Sequence, residues 1–132
     1  VLENCKKLDY TKSFCAMQDA RAKGGNEPIL TNTDGNVACA STSSLFIVES
    51  GNVITPKLSD GILDSLSRRE LIRTYGAKEE SISVERFKEA DHIFLTNTIR
   101  GVRPIVELNG ERKEEGKLDL VPALNNQIFK AA

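Results

Sequence analysis

The residue types with most chemical use stand at five places in the sequence. Lys6 precedes a stretch of helical spacing; an amine there could form a Schiff base if partly desolvated. Ser67 and Glu70 stand in the S-x-x-E relation at a helix start, where free N–H groups and the dipole suit an anion such as phosphate. Thr96-Asn97-Thr98 ends a strand and brings hydroxyls to its tip. Arg100 and Arg103 flank Gly101-Val102 and suit a carboxylate through bidentate contacts. Cys39, between two strands, is a small hydrophobe or a weak polar group. On spacing alone each has a plainer explanation: a solvated lysine near a chain end, a capping box, strand threonines, loop arginines, a buried thiol. His92 alternates with apolar neighbours and reads as structural. With one histidine, His/His metal clusters and two-imidazole chemistry are excluded within this chain, and no metal site is expected.

Composition narrows the classes further. A chain of 132 residues with 39% apolar and 28% charged residues suits one globular domain, not a disordered chain. The longest apolar run, Leu45–Val48, is far shorter than the ~20 residues of a bilayer span, so no membrane partner is expected. Eighteen basic against nineteen acidic residues leave no excess positive charge for nucleic acid. Cys5, Cys15 and Cys39 cannot all pair, which favours a reducing, cytoplasmic setting. No signal peptide is visible, and the start at Val1 suggests a piece of something longer.

The elements that must position these residues follow from periodicity. Tyr10, Phe14 and Met17 predict a helix stopped at Gly24-Gly25. Pro28–Leu30, Asp34-Gly35 and Val37 predict strand, turn and strand. Leu45–Val48 predicts a strand buried on both faces, followed by a turn at Gly51-Asn52 and a strand at Val53–Thr55 ended by Pro56. A helix is expected from about Ser67 to Tyr75, opened by the Ser67/Glu70 box and closed by Gly76, and another at Val84–Ala90 capped by Ser83. Strands are expected at His92–Thr98 and Pro104–Leu108, with a hairpin at Asn109-Gly110 and a last helix from about Pro122 to Phe129. The expected class is α+β, a curled mixed sheet flanked by helices.

Taken in order, these segments resemble the C-terminal, cofactor-carrying half of class IV aminotransferases, the fold type IV pyridoxal-phosphate enzymes. The resemblance runs from about Leu2 to Gly110. It rests on Lys6-Lys7-Leu8-Asp9-Tyr10, Asn26–Leu30, Gly35-Asn36-Val37, Ser43–Phe46, Gly51–Pro56, Asp60–Arg68 and Ala90–Thr98. It implies pyridoxal phosphate as cofactor, covalently held by Lys6, which would also move the proton at substrate Cα. It implies phosphate binding by Leu66 and Ser67, with Thr98 and the Ile99 N–H completing the cup. It places Cys39 where the family carries a Glu beside the ring nitrogen, and Ser44 where it carries Asn. The run Thr96–Val102, with Arg100 as substrate-binding residue, is similar to aminodeoxychorismate lyases, which eliminate pyruvate and leave the folate precursor 4-aminobenzoate. Amino-acid transaminases, including branched-chain and D-amino-acid enzymes, are the neighbouring expectation, with an amino acid or aminodeoxychorismate as small-molecule partner. The resemblance makes residues 1–132 one C-terminal cofactor-binding domain lacking the family's N-terminal domain, and family members usually form homodimers. The alternative is a non-catalytic relative that keeps the fold as a structural or dimerisation module.

Overall fold

The computed structural model describes residue 6 and residues 8–113. The expected helix 122–129 lies outside the described residues. The chain begins with helix α1 (Thr11–Ala22), ended by Lys23 and Gly24, the latter at φ +82°. No α1 residue is buried, and Leu8, Tyr10 and Phe14 expose their apolar side chains. Strands β1 (Ile29–Thr31) and β2 (Asn36–Ala40) form the expected antiparallel hairpin. The short β6 (Ile82–Ser83) joins β2 on its other side, giving a three-stranded sheet.

The larger sheet runs in the order β5-β4-β3-β7-β8. Its centre is β3 (Ser44–Glu49) against β7 (His92–Asn97), with β4 (Asn52–Thr55) and β8 (Gly101–Pro104) outside them. Those pairs are antiparallel, whereas β5 (Lys78–Glu79) lies parallel to β4. The class is thus α+β as expected, but the strands divide into two sheets and a hairpin. The middle of each strand of the central pair, Leu45–Val48 and Ile93–Leu95, is apolar because both faces are covered. Leu45, Ile47, Ile93 and Leu95 pack with Val37, Ile82 and Phe87, on the side of the small sheet and α3 (Val84–Glu89). Phe46, Val48 and Phe94 pack instead with Leu71 of α2 (Leu66–Tyr75). The Phe46 and Phe94 rings, directly opposite across the strands, stack at 5.3 Å.

Three expectations need correction. Helix α2 is opened by Ser65, whose hydroxyl accepts the Arg68 N–H at 3.2 Å, not by a Ser67/Glu70 box. Glu70 pairs along the helix surface with Arg73 and Thr74. The turn after β3 is Ser50-Gly51, both at positive φ, rather than Gly51-Asn52. Nor is Pro104–Leu108 one strand: β8 ends at Pro104, and β9 (Glu107–Leu108) starts a separate hairpin with β10 (Glu111–Arg112). Asn109-Gly110 turns that hairpin at φ +51° and +81°, the backbone this dipeptide favours. No helix among the described residues is long and apolar enough to cross a membrane.

Candidate functional site

Three elements bring their ends together at one end of the large sheet: the start of β3, the end of β7 and the first turn of α2. Ser44 and Thr96 are direct partners across β3 and β7, so their side chains share the face that carries Phe46 and Phe94, the face covered by α2. The Ser44 hydroxyl lies 2.8 Å from the Ser65 hydroxyl, and Ser65 Oγ lies 3.4 Å from Ser67 Oγ. Ser67 is buried, and so is Thr96, whose hydroxyl finds no hydrogen-bond partner among the described residues. Leu66, in the first turn of α2, is exposed. The first-turn N–H groups of Leu66 and Ser67 have no acceptor within the helix, as at any helix start.

The first turn of α2 is anchored by a buried arginine. Arg68 donates to the Pro56 carbonyl at 2.9 Å, pairs with Glu79 and reaches Asp64 at 3.4 Å. Its guanidinium thereby ties α2 to the end of β4 and to β5. The Thr55-Pro56 step and the helix start are thereby joined by one side chain.

Beyond β7, Asn97 shapes the turn to β8. Its side-chain oxygen accepts the N–H groups of Ile99 at 3.1 Å and Arg100 at 2.7 Å, while its amide donates to Ser43 Oγ at 3.0 Å. The Ile99 N–H, expected in the anion cup, is thus engaged by Asn97 in this conformation. Thr98, Ile99 and Arg100 are all exposed on that turn. Arg103 donates to Ser43 Oγ at 3.2 Å and lies 3.8 Å from Glu27. Glu27 also accepts the Ser41 N–H at 3.0 Å and the Ser41 hydroxyl. Cys39 is half-buried near this carboxylate. Burial first, and then the charge of Glu27, push its thiol up from its ordinary value, so it is neutral near pH 7.

The structure therefore gathers Ser67 with Ser44, Ser65 and Thr96, and sets Thr98, Ile99 and Arg100 on the adjoining turn. Lys6 is exposed in the lead-in to α1, and none of the bonds knitting the hydroxyl cluster involves it. Spacing alone gave no role to Ser44 or Ser65. The available signal was the two serine-rich runs at 41–44 and 65–67, each placed where a strand or helix begins. Among the described residues no group of His, Cys, Asp and Glu could hold a metal ion.

Comparison with known proteins gives these features a lineage. The family model for amino-transferase class IV matches residues 1–108. A protein of Aquifex aeolicus named probable branched-chain-amino-acid aminotransferase is 34% identical over 116 residues, which are 83% of this chain and 37% of that protein. Among solved structures, a branched-chain aminotransferase of Thermobaculum terrenum in its PLP form superimposes with a TM-score of 0.86 at 26% identity, over 96% of this chain and 44% of that one. A Legionella pneumophila protein provisionally assigned as a 4-amino-4-deoxychorismate lyase gives 0.84 at 27% identity, over 94% and 49%. The chain spans about a third of the length of the curated relatives it matches. It belongs to the class IV aminotransferase family and carries the fold of the fold type IV enzymes.

Proposed function

We propose that this chain is the cofactor-binding part of a pyridoxal-phosphate-dependent enzyme acting on amino-acid substrates, of the aminodeoxychorismate-lyase type. The observation that carries the cofactor reading is the donor set at the start of α2. It comprises two free N–H groups, three serine hydroxyls and the unpartnered Thr96 hydroxyl, with no carboxylate bonded among them. That set fits a phosphate monoester. The ring-nitrogen end fits less well, because Cys39 offers a neutral thiol where the resemblance expects a carboxylate.

When bound, the cofactor supplies an electron sink for negative charge at substrate Cα. The chain's own residues do the rest. Leu66 and Ser67 hold the phosphate through their N–H groups, with the Ser67 hydroxyl beside them. Thr98 closes the cup from the β7–β8 turn; the Ile99 N–H joins only if Asn97 releases it. Lys6 would be the residue that holds the cofactor through its amine and that carries a proton to or from substrate Cα. Arg100 reaches from the same turn toward a substrate carboxylate, which suits a substrate with more than one. The thiol of Cys39 is a weak acceptor, and this favours elimination of pyruvate over transamination.

The named relatives support a second reading, branched-chain transamination, since the Aquifex protein bears that name. In either reading the working unit is a cytoplasmic homodimer containing a second domain. The test of the shared core is reduction with borohydride in the presence of pyridoxal phosphate, followed by peptide mass mapping. The adduct is expected on Lys6. An adduct on Lys7 or Lys12, or none in the complete protein, sinks the assignment and leaves the non-catalytic alternative.

A further inference from the structure

We propose that Thr96, backed by Ser44 and Ser65, is an inner donor of the anion site, placing its hydroxyl on a phosphate monoester seated at the first turn of α2. The proposal rests on the pyridoxal-phosphate reading of that site and adds residues to it. Three observations converge. Thr96 is fully buried, yet its hydroxyl has no partner among the described residues. A valine has nearly the same shape and would leave no polar atom unpaired there, so the hydroxyl weakens the empty fold. Its strand register puts it opposite Ser44, on the α2-facing side of the sheet.

The proton arithmetic points the same way. A hydroxyl carries one proton and accepts through two lone pairs. Ser65 already accepts the Arg68 N–H, and only two contacts, Ser44 with Ser65 and Ser65 with Ser67, link the four hydroxyls. Each contact uses one proton. At least two protons, that of Thr96 among them, therefore have no acceptor inside the cluster. With Ser44 and the Arg68 N–H both donating into Ser65, Ser65 must donate to Ser67. That leaves the protons of Ser67 and Thr96 without an acceptor in the cluster, the Ser67 proton strengthened by the bond behind it. Surplus protons beside a positive helix end call for an anionic acceptor with several oxygens.

The test titrates the full chain with inorganic phosphate, pyridoxal phosphate and pyridoxal, following amide NMR shifts of Leu66 and Ser67, alongside thermal melts without ligand. Thr96→Val is expected to weaken phosphate and pyridoxal phosphate about tenfold, to leave pyridoxal unchanged, and to raise the ligand-free Tm by roughly 3–6 °C. Thr96→Ser is expected to restore phosphate affinity. Equal phosphate affinity in Thr96→Val and the parent chain overturns the proposal, whatever Lys6 does. Should Thr96→Val not fold, Ser44→Ala decides: about threefold weaker phosphate supports the proposal, and no change overturns it. Thr96-dependent phosphate binding without borohydride trapping on Lys6 keeps the proposal and removes the enzymatic reading. A parent chain that binds no phosphate removes the proposal and the anion site together.

Discussion

At the scale of single residues, Cys39 separates the two chemistries open to the family. Desolvation and the neighbouring Glu27 charge both raise its pKa, so near neutral pH it is a thiol and not an anion. On the proposed reading it stands beside the ring nitrogen, where a carboxylate would hold a proton through a charge-assisted bond. That loss is on the order of 1.5–3 kcal/mol, or roughly one to two decades in rate. Transamination must hold negative charge at Cα until it is reprotonated at the cofactor, whereas elimination needs it only in passing. Cys39→Glu in the complete protein is therefore expected to raise transamination at least tenfold (about 1.4 kcal/mol) and to change pyruvate release less. Side-by-side rates with an amino acid and with aminodeoxychorismate check this. A flat transamination rate in a folded variant means that Cys39 does not sit by the ring nitrogen.

At the scale of elements, the start of α2 divides two duties between two serines. Ser65 caps the helix by accepting the Arg68 N–H, and Ser67 lies buried in the first turn with its hydroxyl near Ser65. Ser65→Ala is expected to cost about 1 kcal/mol of stability, the usual worth of an N-cap, measured by urea unfolding. Ser67→Ala removes no cap, so it is expected to cost less stability while weakening phosphate. The reverse ranking in stability would return the capping role to Ser67. The first-turn sequence explains why the cap was misplaced: Ser65, Ser67 and Glu70 offer overlapping patterns. Only the path of the chain entering from Leu63 and Asp64 selects between them. Arg68 adds a tertiary reason, since its buried guanidinium must reach the Pro56 carbonyl and Glu79, which sets the helix's rotation.

At the scale of the whole molecule, α1 and the segment leading into it are left uncovered. Helix α1 buries no residue, its neighbours Leu8 and Tyr10 are exposed with Phe14, and Lys6 stands free of the hydroxyl cluster. On the proposed reading, the part of the relatives' length that this chain does not span would add further contacts to the phosphate and to the substrate. Each charge-assisted contact is worth roughly 1.5–3 kcal/mol, so lacking two of them weakens binding by about a hundredfold or more. The 132-residue chain alone is expected to bind pyridoxal phosphate at best weakly, with no tight absorbance change on titration and no turnover. A micromolar-or-better site in this chain would show that the missing contacts are not needed.

Local order was determined by the sequence itself. The Asp34-Gly35 and Asn109-Gly110 turns, the doubly buried Leu45–Val48 run and the Ser83 cap of α3 all stand as their residues imply, because each depends on neighbours within a few positions. The order of segments likewise sufficed to identify the family. Tertiary structure alone decided what meets across the sheet. The pairing of Ser44 with Thr96 spans about fifty residues, and the contact of Ser44 with Ser65 spans twenty-one. Neither leaves a periodic trace, since a serine or threonine at a strand end has the same local preference with or without a partner. The parallel β5 on β4, the separate β6 on β2 and the break after Pro104 are also set by what lies alongside. Two-residue strands carry too few side chains to show a pattern, and their backbone hydrogen bonds are available only once the larger strands are in place.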